Sequence, residues 1–413
     1  MLKRLATILL AIPFGAQALT IDEKLSLVAQ TFDLSPVSCE IADRHVNRVL
    51  APLGKFIFNT KLMSGDNDTS CATCHLDSIH LADGLPIAIG VGGGDAEGLE
   101  RMSSEGVVVP RNAFTLFGRA NKDLTTFFWD GKVIEQDGLI YSPIGEAASK
   151  GFNSGLAVAA VLPLLARDEF LGRMDVFSPS RNLELINSEY FDAQYDAANQ
   201  LISELLNRDS EEAIELKSIA SEVGEPSLTL DVVGNALAAF IAQKVSVECE
   251  SSDWDRYLRG DLSALTDKQK NGALIFFGKG RCAGCHTGSL MSDQMFHSIG
   301  TPQGEFGFHM HGQDIGRAGI TYVNEDRYLF RTPPLVGVSK TAPYGHNGVF
   351  PSLEDVVMFH LNPIPFLIEN GWTSEREMLT YGRLLSARSK MLAYIDIQTH
   401  DQVSALTSFL EAL

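Results

Sequence analysis

Long hydrophobic runs are what this chain of 413 residues most plainly lacks. Its one early apolar run, Leu5 to Phe14, is too short to span a bilayer, and no later stretch approaches that length. The run follows Lys3 and Arg4 and is closed by Ala16-Gln17-Ala18, the small-x-small pattern that a signal peptidase cuts. Residues 1–18 are therefore expected to leave as an export signal, with the mature chain working in the periplasm without a membrane span. Basic residues are also scarce: 33 Lys and Arg face 52 Asp and Glu, for a formal charge of −19. Such a surface repels nucleic acid, and its acidic coat serves chiefly for solubility. Strand-like alternation is rare, so the fold is expected to be mainly α. The glycines from Gly90 to Gly98 have no strand–loop–helix context and no following Lys-Ser or Lys-Thr, which excludes a phosphate cradle and leaves a loop.

Cysteine is sparse too, with six residues, and four of them fall into two short motifs: Cys71-Ala-Thr-Cys74-His75 and Cys282-Ala-Gly-Cys285-His286. Zinc would need a second Cys or His pair near each motif, and neither neighbourhood has one. In an exported chain, two CxxCH motifs point to covalent haem attachment. Each pair of thiols bonds the haem vinyl groups, and His75 and His286 are placed to ligate iron. The remaining Cys39 and Cys249 meet an oxidising compartment and are expected to form a disulfide. The sixth iron position separates electron carriage from catalysis, and CxxCH alone leaves it open. His80, His297, His309, His311, His346, His360 and several Met are all candidates.

The mature length of roughly 395 residues suggests about two to three domains. The motifs suggest two haem domains of cytochrome c type packed together, with few short strands. Thr266 to Gln269 reads as a capping box, Ala273, Phe276 and Phe277 give an apolar face, and Gly278 and Gly280 stop the helix before Cys282. A second capping box, Thr399 to Gln402, opens a terminal helix with Val403, Leu406, Leu410 and Leu413 on one face. The expected boundary lies in Val223-Gly224-Glu225-Pro226. It gives an N-terminal domain over 19–225 and a C-terminal one over 226–413, the latter opened by a helix from Asp231 to Lys244.

Longer stretches carry a family resemblance. Arg111-Asn112-Ala113, Phe128-Trp129-Asp130-Gly131 and Asp314-Ile315-Gly316-Arg317 come first. Phe330 to Leu335, Thr341 to Gly348 and Ser352 to Val357 follow. In content and order these segments resemble bacterial di-haem cytochrome c peroxidases and their MauG relatives, from about Leu53 to the C-terminus. The resemblance implies that His75 serves the peroxide-reacting haem and His286 the electron-supplying haem, with Trp129 as a relay between them. It implies a calcium ion held by Asn112, Thr341 and Pro343, whose oxygens suit a hard cation. It also implies an acid/base carboxylate at Glu169, six residues after Pro163, beyond an insertion from about Val133 to Leu156. Glu146, inside that insertion, is the fallback.

Three departures from the family pattern shape the expectation. Ala159 stands where the family often has a distal Gln. His80 lies too close to His75 to fold back over the far face of the first haem, which is then expected to stay open. Fourteen residues after His346, where the peroxidases place Met and MauG places Tyr, this chain has His360. His286 and His360 would make the second haem bis-histidine, favouring higher oxidation states than a thioether does. The sequence therefore leads to a periplasmic MauG-like di-haem peroxidase. It would use hydrogen peroxide to oxidise a small redox protein or a side chain of an exported partner protein. The alternatives are a conventional cytochrome c peroxidase that removes peroxide and a di-haem electron-transfer cytochrome with both haems closed.

Overall fold

The computed structural model describes residues 18–37, 46–145, 151–172, 191–248, 252–303, 313–369 and 375–413. Cys39, Cys249, Glu146, His309 and His311 lie outside them, as does the segment through Gln17. Among the described residues the two largest apolar cores each adjoin one CxxCH motif. Helices dominate, as the sequence predicts. Among the described residues no helix is long and apolar enough to cross a membrane.

The same helix crossing builds both cores. In the first, α2 (Ala51–Asn59) packs on α4 (Leu230–Glu248); in the second, α5 (Asp267–Phe277) packs on α7 (His400–Leu410). A Cβ built on Gly54 of α2 would lie 1.8 Å from the Ala236 carbonyl oxygen and 2.9 Å from Phe240 Cβ. A Cβ on Gly272 of α5 would lie 2.0 Å from the Ala405 oxygen and 2.8 Å from Phe409 Cβ. Only glycine lets backbones approach so closely. In both helices a Phe follows four residues later, one turn on along the same face. Phe58 and Phe276 each place their ring 6.5 Å from the adjoining motif histidine, His75 and His286. The duplication suggested by the motifs thus extends to the packing beneath them.

One helix beyond the expected boundary packs in the first core. The helix assigned to the start of the second domain is α4, and its Leu230, Val233, Leu237 and Ile241 are buried in the first core. It is to α2 what the terminal helix α7 is to α5, so a division at 225/226 separates α4 from its partner. The helix is apolar nearly all round because α2 and α3 (Gly155–Val161) cover different faces of it. The opposite exchange occurs at the start of the chain. Helix α1 (Ile21–Thr31) packs on α5, burying Leu25 completely, and Phe32 lies 5.2 Å from Phe277. Asp22 anchors it by accepting from Lys270 Nζ at 2.8 Å and Tyr257 Oη at 2.8 Å.

Strands are few and short. β1 (Ala88–Ile89) pairs antiparallel with β2 (Val108–Val109). β3 (Thr126–Phe127), β4 (Val133–Gln136) and β5 (Leu139–Tyr141) form an antiparallel meander, and β6 (Phe296–His297) pairs with β7 (Phe330–Arg331). The β4–β5 hairpin turns on Asp137 and Gly138, both at positive φ, which suits the twist of a two-residue loop. It occupies the start of the expected insertion.

Candidate functional site: two haem-attachment motifs

Each motif is held by short local structure. Cys71–Cys74 forms one helical turn capped by Ser70 and Thr73, and the His75 amide donates to the Cys71 carbonyl at 3.0 Å. The second motif has the same closing bond, His286 to Cys282, at 2.9 Å. His75 Nδ1 bonds the Leu81 carbonyl at 2.9 Å, and His286 Nδ1 bonds the Met291 carbonyl at 3.1 Å. A carbonyl only accepts, so both rings carry their proton on Nδ1 and leave the Nε2 lone pair for a metal. Burial drives both imidazoles down to about 4, outweighing the carbonyl bonds, so both rings are neutral at physiological pH. Burial likewise pushes the Cys71, Cys74 and Cys282 thiols up to about 12. Thiols this hard to ionise are poor zinc ligands and poor thiolate redox groups.

At the second motif a cavity of about 250 Å³ is lined by Cys282, Cys285, His286 and His360. His360 comes from α6 (Leu353–Leu361), whose capping box at Ser352 and Asp355 fixes its start. Its Nδ1 bonds the Val356 carbonyl one turn earlier at 2.7 Å, again freeing Nε2. The two imidazoles are close enough for the charge of His360 to weigh on His286. Arg388 holds the end of α6 by donating to the carbonyls of Phe359 and His360. Trp129, Asn112, Thr341 and Pro343 line the same cavity. Trp129 Nε1 donates to the Asn112 carbonyl at 3.1 Å, and its own carbonyl accepts from the Arg331 amide at 2.8 Å.

Other histidines are occupied differently. His346 stacks on Phe330 at 3.7 Å, and its carbonyl accepts from the Asn112 amide at 2.8 Å. His80 lies against the Phe117 ring at 4.2 Å, so its imidazole packs locally rather than reaching over the first motif. His297 bonds Asp293 at 2.8 Å, and that bond raises it to about 10. Cys285, Asp293 and His297 offer ligand atoms within 4.8 Å of one another. Within that cluster His297 and Asp293 already form an ion pair.

Glu169 lies at the first motif, where its charge is felt by both Cys71 and Cys74. It sits on a single π turn, Arg167–Leu171, closed by Leu171 N to Ala166 O at 3.0 Å and Gly172 N to Arg167 O at 3.1 Å. Such turns are uncommon and often mark functional positions. Two glycine-bearing loops clamp it: Gly65 N donates to Phe170 O at 2.7 Å, and Val91 N to Asp168 O at 3.2 Å. A Cβ on Gly90 would fall 1.7 Å from that Asp168 oxygen, so the glycine loop is the seat of the turn that carries Glu169. Burial raises the Glu169 carboxyl above its ordinary value, Lys132 opposes the rise, and Asp168 adds to it. Ala159 is buried in α3.

Two features escaped the reading of the sequence. Arg101, 1% exposed, threads the glycine loop and donates to the carbonyls of Ile89, Gly90, Gly94 and Ala96 and to Thr69 Oγ1. The second is an ion-pair bridge between the motif segments. Arg111 contacts Asp314 at 2.7 and 3.0 Å and Asp130 at 2.5 Å. Burial alone would raise Asp314, but the Arg111 bonds outweigh it and hold the carboxyl at about 2.

Known proteins resemble this chain over most of its length. A family model described as di-haem cytochrome c peroxidase matches residues 49–263. Cytochrome-c peroxidase IdrP2 of Denitromonas iodatirespirans is 25% identical, across 88% of this chain and 85% of its own. The methylamine utilization protein MauG of Methylorubrum extorquens is 28% identical, across 74% of this chain and 66% of its own. Among solved structures, the diheme peroxidase BthA of Burkholderia thailandensis superposes with a TM-score of 0.60 at 20% identity, covering 92% of this chain and 89% of that one. A MauG-like protein associated with microbial copper homeostasis gives 0.59 at 21% identity, covering 92% of both chains. The last two likenesses speak to the fold.

Proposed function

This chain belongs to the di-haem cytochrome c peroxidase family, and from that premise we propose that it is a periplasmic enzyme of the MauG-like kind, oxidising an exported protein partner. Family membership makes it a peroxidase with two c-type haems that uses hydrogen peroxide. The finer reading rests on one observation, the asymmetry of the two motifs. The buried Glu169 carboxyl lies near Cys71 and Cys74, and the His360 imidazole shares a cavity with His286.

Bound at Cys71, Cys74 and His75, haem would supply the redox chemistry that reduces peroxide. Glu169 would take a proton from the incoming peroxide and return it to the departing oxygen. Its raised proton affinity suits both halves of that exchange. The clamped π turn holds the carboxyl in place without a soft loop. His286 and His360, whose Nδ1 atoms are engaged by carbonyls, would hold the second haem through their free Nε2 atoms. Trp129, fixed at its indole nitrogen by Asn112, would stand between the two sites as the relay. Asn112, Thr341 and Pro343 share one cavity wall and would offer oxygens to a calcium ion. The Cys39–Cys249 disulfide and cleavage after Ala18 belong to the same proposal for an exported protein.

Two measurements test it. The resting electron paramagnetic spectrum of haem-loaded protein should contain one high-spin and one low-spin ferric signal, and two low-spin signals would sink the reading. Peroxide turnover with a reduced small monohaem cytochrome c should be slow. Rapid, saturable turnover with that donor would place the enzyme with the conventional peroxidases.

A further inference from the structure

Buried arginine outnumbers buried carboxylate around the Trp129 cavity. Arg111, Arg119 and Arg331 are 8%, 4% and 1% exposed, against Asp130 and Asp314 at 2% and 4%. Arg111 takes hydrogen bonds to both carboxylates for itself. Arg331 is left with neutral acceptors, the Phe128 carbonyl at 3.0 Å and the Thr332 carbonyl at 3.1 Å, and Asp130 is felt only as a nearby charge. Arg119 has less: its Nε donates to the Thr115 carbonyl at 2.8 Å, its guanidinium lies 4.6 Å over the Phe114 ring, and its buried Nη1 meets no acceptor. Burial pushes Arg119 well below its ordinary range, and Arg331 pushes it further, so the two cations are close neighbours. A buried guanidinium without an anion is among the costliest groups a fold can keep, and two side by side repel.

Both arginines line the cavity that holds Cys282, Cys285, His286 and His360. We propose that Arg119 and Arg331 form a carboxylate-binding site that receives a propionate of the second haem. The inference rests on reading Cys282–His286 as a haem-attachment motif. A planar guanidinium matches a carboxylate with two parallel N–H donors, and a propionate would give Arg119 Nη1 its missing acceptor. Arg119 also lies between the sites, since its charge weighs on His75 as well. The pair would therefore neutralise the propionate and set the potential of the second haem. Without them an unneutralised propionate on the haem would favour the ferric state.

Spectroelectrochemistry of haem-loaded protein tests this without reference to turnover. Arg119→Gln and Arg331→Gln should each lower the midpoint of the low-spin second haem, shifting its reduction equilibrium about tenfold, or ~59 mV for one electron. Arg119→Lys should recover part of the loss. An unchanged midpoint in both Gln variants, with haem on Cys282 and Cys285 confirmed by mass spectrometry, overturns the inference. Absence of that haem instead overturns the reading beneath it. If the Gln variants fold poorly, the resonance Raman propionate bending bands decide on Arg119→Lys, where unshifted bands overturn the proposal. A diffusible anion is the other source of the same chemistry. The wild-type midpoint should be indifferent to graded acetate and chloride. A shift that Arg119→Gln abolishes assigns the site to free anions and overturns the propionate assignment.

Discussion

Replacing Gly54 or Gly272 by Ala tests the duplicated helix crossing, because each change perturbs one haem unit. The added methyl would lie 1.8 Å from the Ala236 oxygen in the first case and 2.0 Å from the Ala405 oxygen in the second. Carbon–oxygen contact needs over 3 Å, so each helix pair must part by more than 1 Å or unwind locally. Overpacking of this kind costs roughly 1–3 kcal/mol. The better helix propensity of Ala offsets up to about 1 kcal/mol. Where the contact is backbone the high end applies, which leaves a net loss of about 2 kcal/mol and a melting temperature lower by ~4–8 °C. Thermal melts of haem-loaded protein, followed through the spectra of the high-spin and low-spin haems, give the assay. Gly54→Ala should disturb the first haem earlier and Gly272→Ala the second. Adding Ala236→Gly should not rescue Gly54→Ala, because the collision is with a carbonyl rather than a side chain. Unchanged or higher melting temperatures in both single variants, with full haem content, would refute the reasoning.

Other expectations follow from the site. Glu169→Gln should keep both haems while slowing reaction with peroxide by about 10²-fold or more in stopped flow. The wild-type rate should rise with pH as the burial-raised Glu169 carboxyl ionises, and the Gln variant should lose that limb. Unchanged kinetics would move the role to Glu146 or to water. His360→Ala should turn the low-spin signal high-spin or water-ligated, whereas His360→Met should keep it low-spin and raise its potential. A low-spin spectrum untouched by His360→Ala would mean that another residue is the ligand. Asp83, 1% exposed, is raised by burial from 3.8 to about 7, with the Leu85 amide opposing the rise. The native state thus binds the proton more tightly, and the protein loses stability as pH climbs from about 4 to about 7. Asp83→Asn keeps an acceptor for Leu85, so it should be the more stable protein at pH ~8, by at most ~4 kcal/mol. That gain should fade below pH ~4 in denaturant titrations, and a variant no more stable than wild type at the higher pH would contradict the account.

What the sequence disclosed depended on whether the signal was local. Both CxxCH motifs and the capping boxes at Thr266 and Thr399 are complete within a few residues, and the structure has both boxes as expected. His360 was singled out by a fourteen-residue register from His346 that the resemblance supplied, and it lines the same cavity as His286. The allegiance of α4 was hidden because a helix apolar on every side names no particular partner, and Pro226 looked like a boundary. α1 was harder still, since nothing in residues 21–31 says that they pack beside residues 267–277. The hairpin at Asp137-Gly138 did carry a turn signal. Arg101 was silent, because an arginine in a polar loop normally faces water. The parallel of Gly54 with Phe58 and Gly272 with Phe276 is written in the chain, but it takes the two crossings to show that the four belong together.

The position of α1 has a consequence for the order of assembly. The second haem unit is closed by a helix from the beginning of the chain, so a loop of roughly 240 residues, containing the whole first unit, must be gathered before Leu25 meets its pocket. During synthesis that helix emerges first and docks last, so the first unit can fold while Phe277 still lacks its cover. Closure entropy grows only with the logarithm of loop length, and doubling the enclosed segment would add just ~0.6 kcal/mol. The clasp therefore leaves the enclosed unit free to lengthen its surface loops, as the 133–141 hairpin does, without loosening the second. Its weak point is the connection after residue 31. A cut there would release a short helix held by Leu25, Phe32 and the Asp22 bonds, and would expose the aromatic face of the second unit at Phe277.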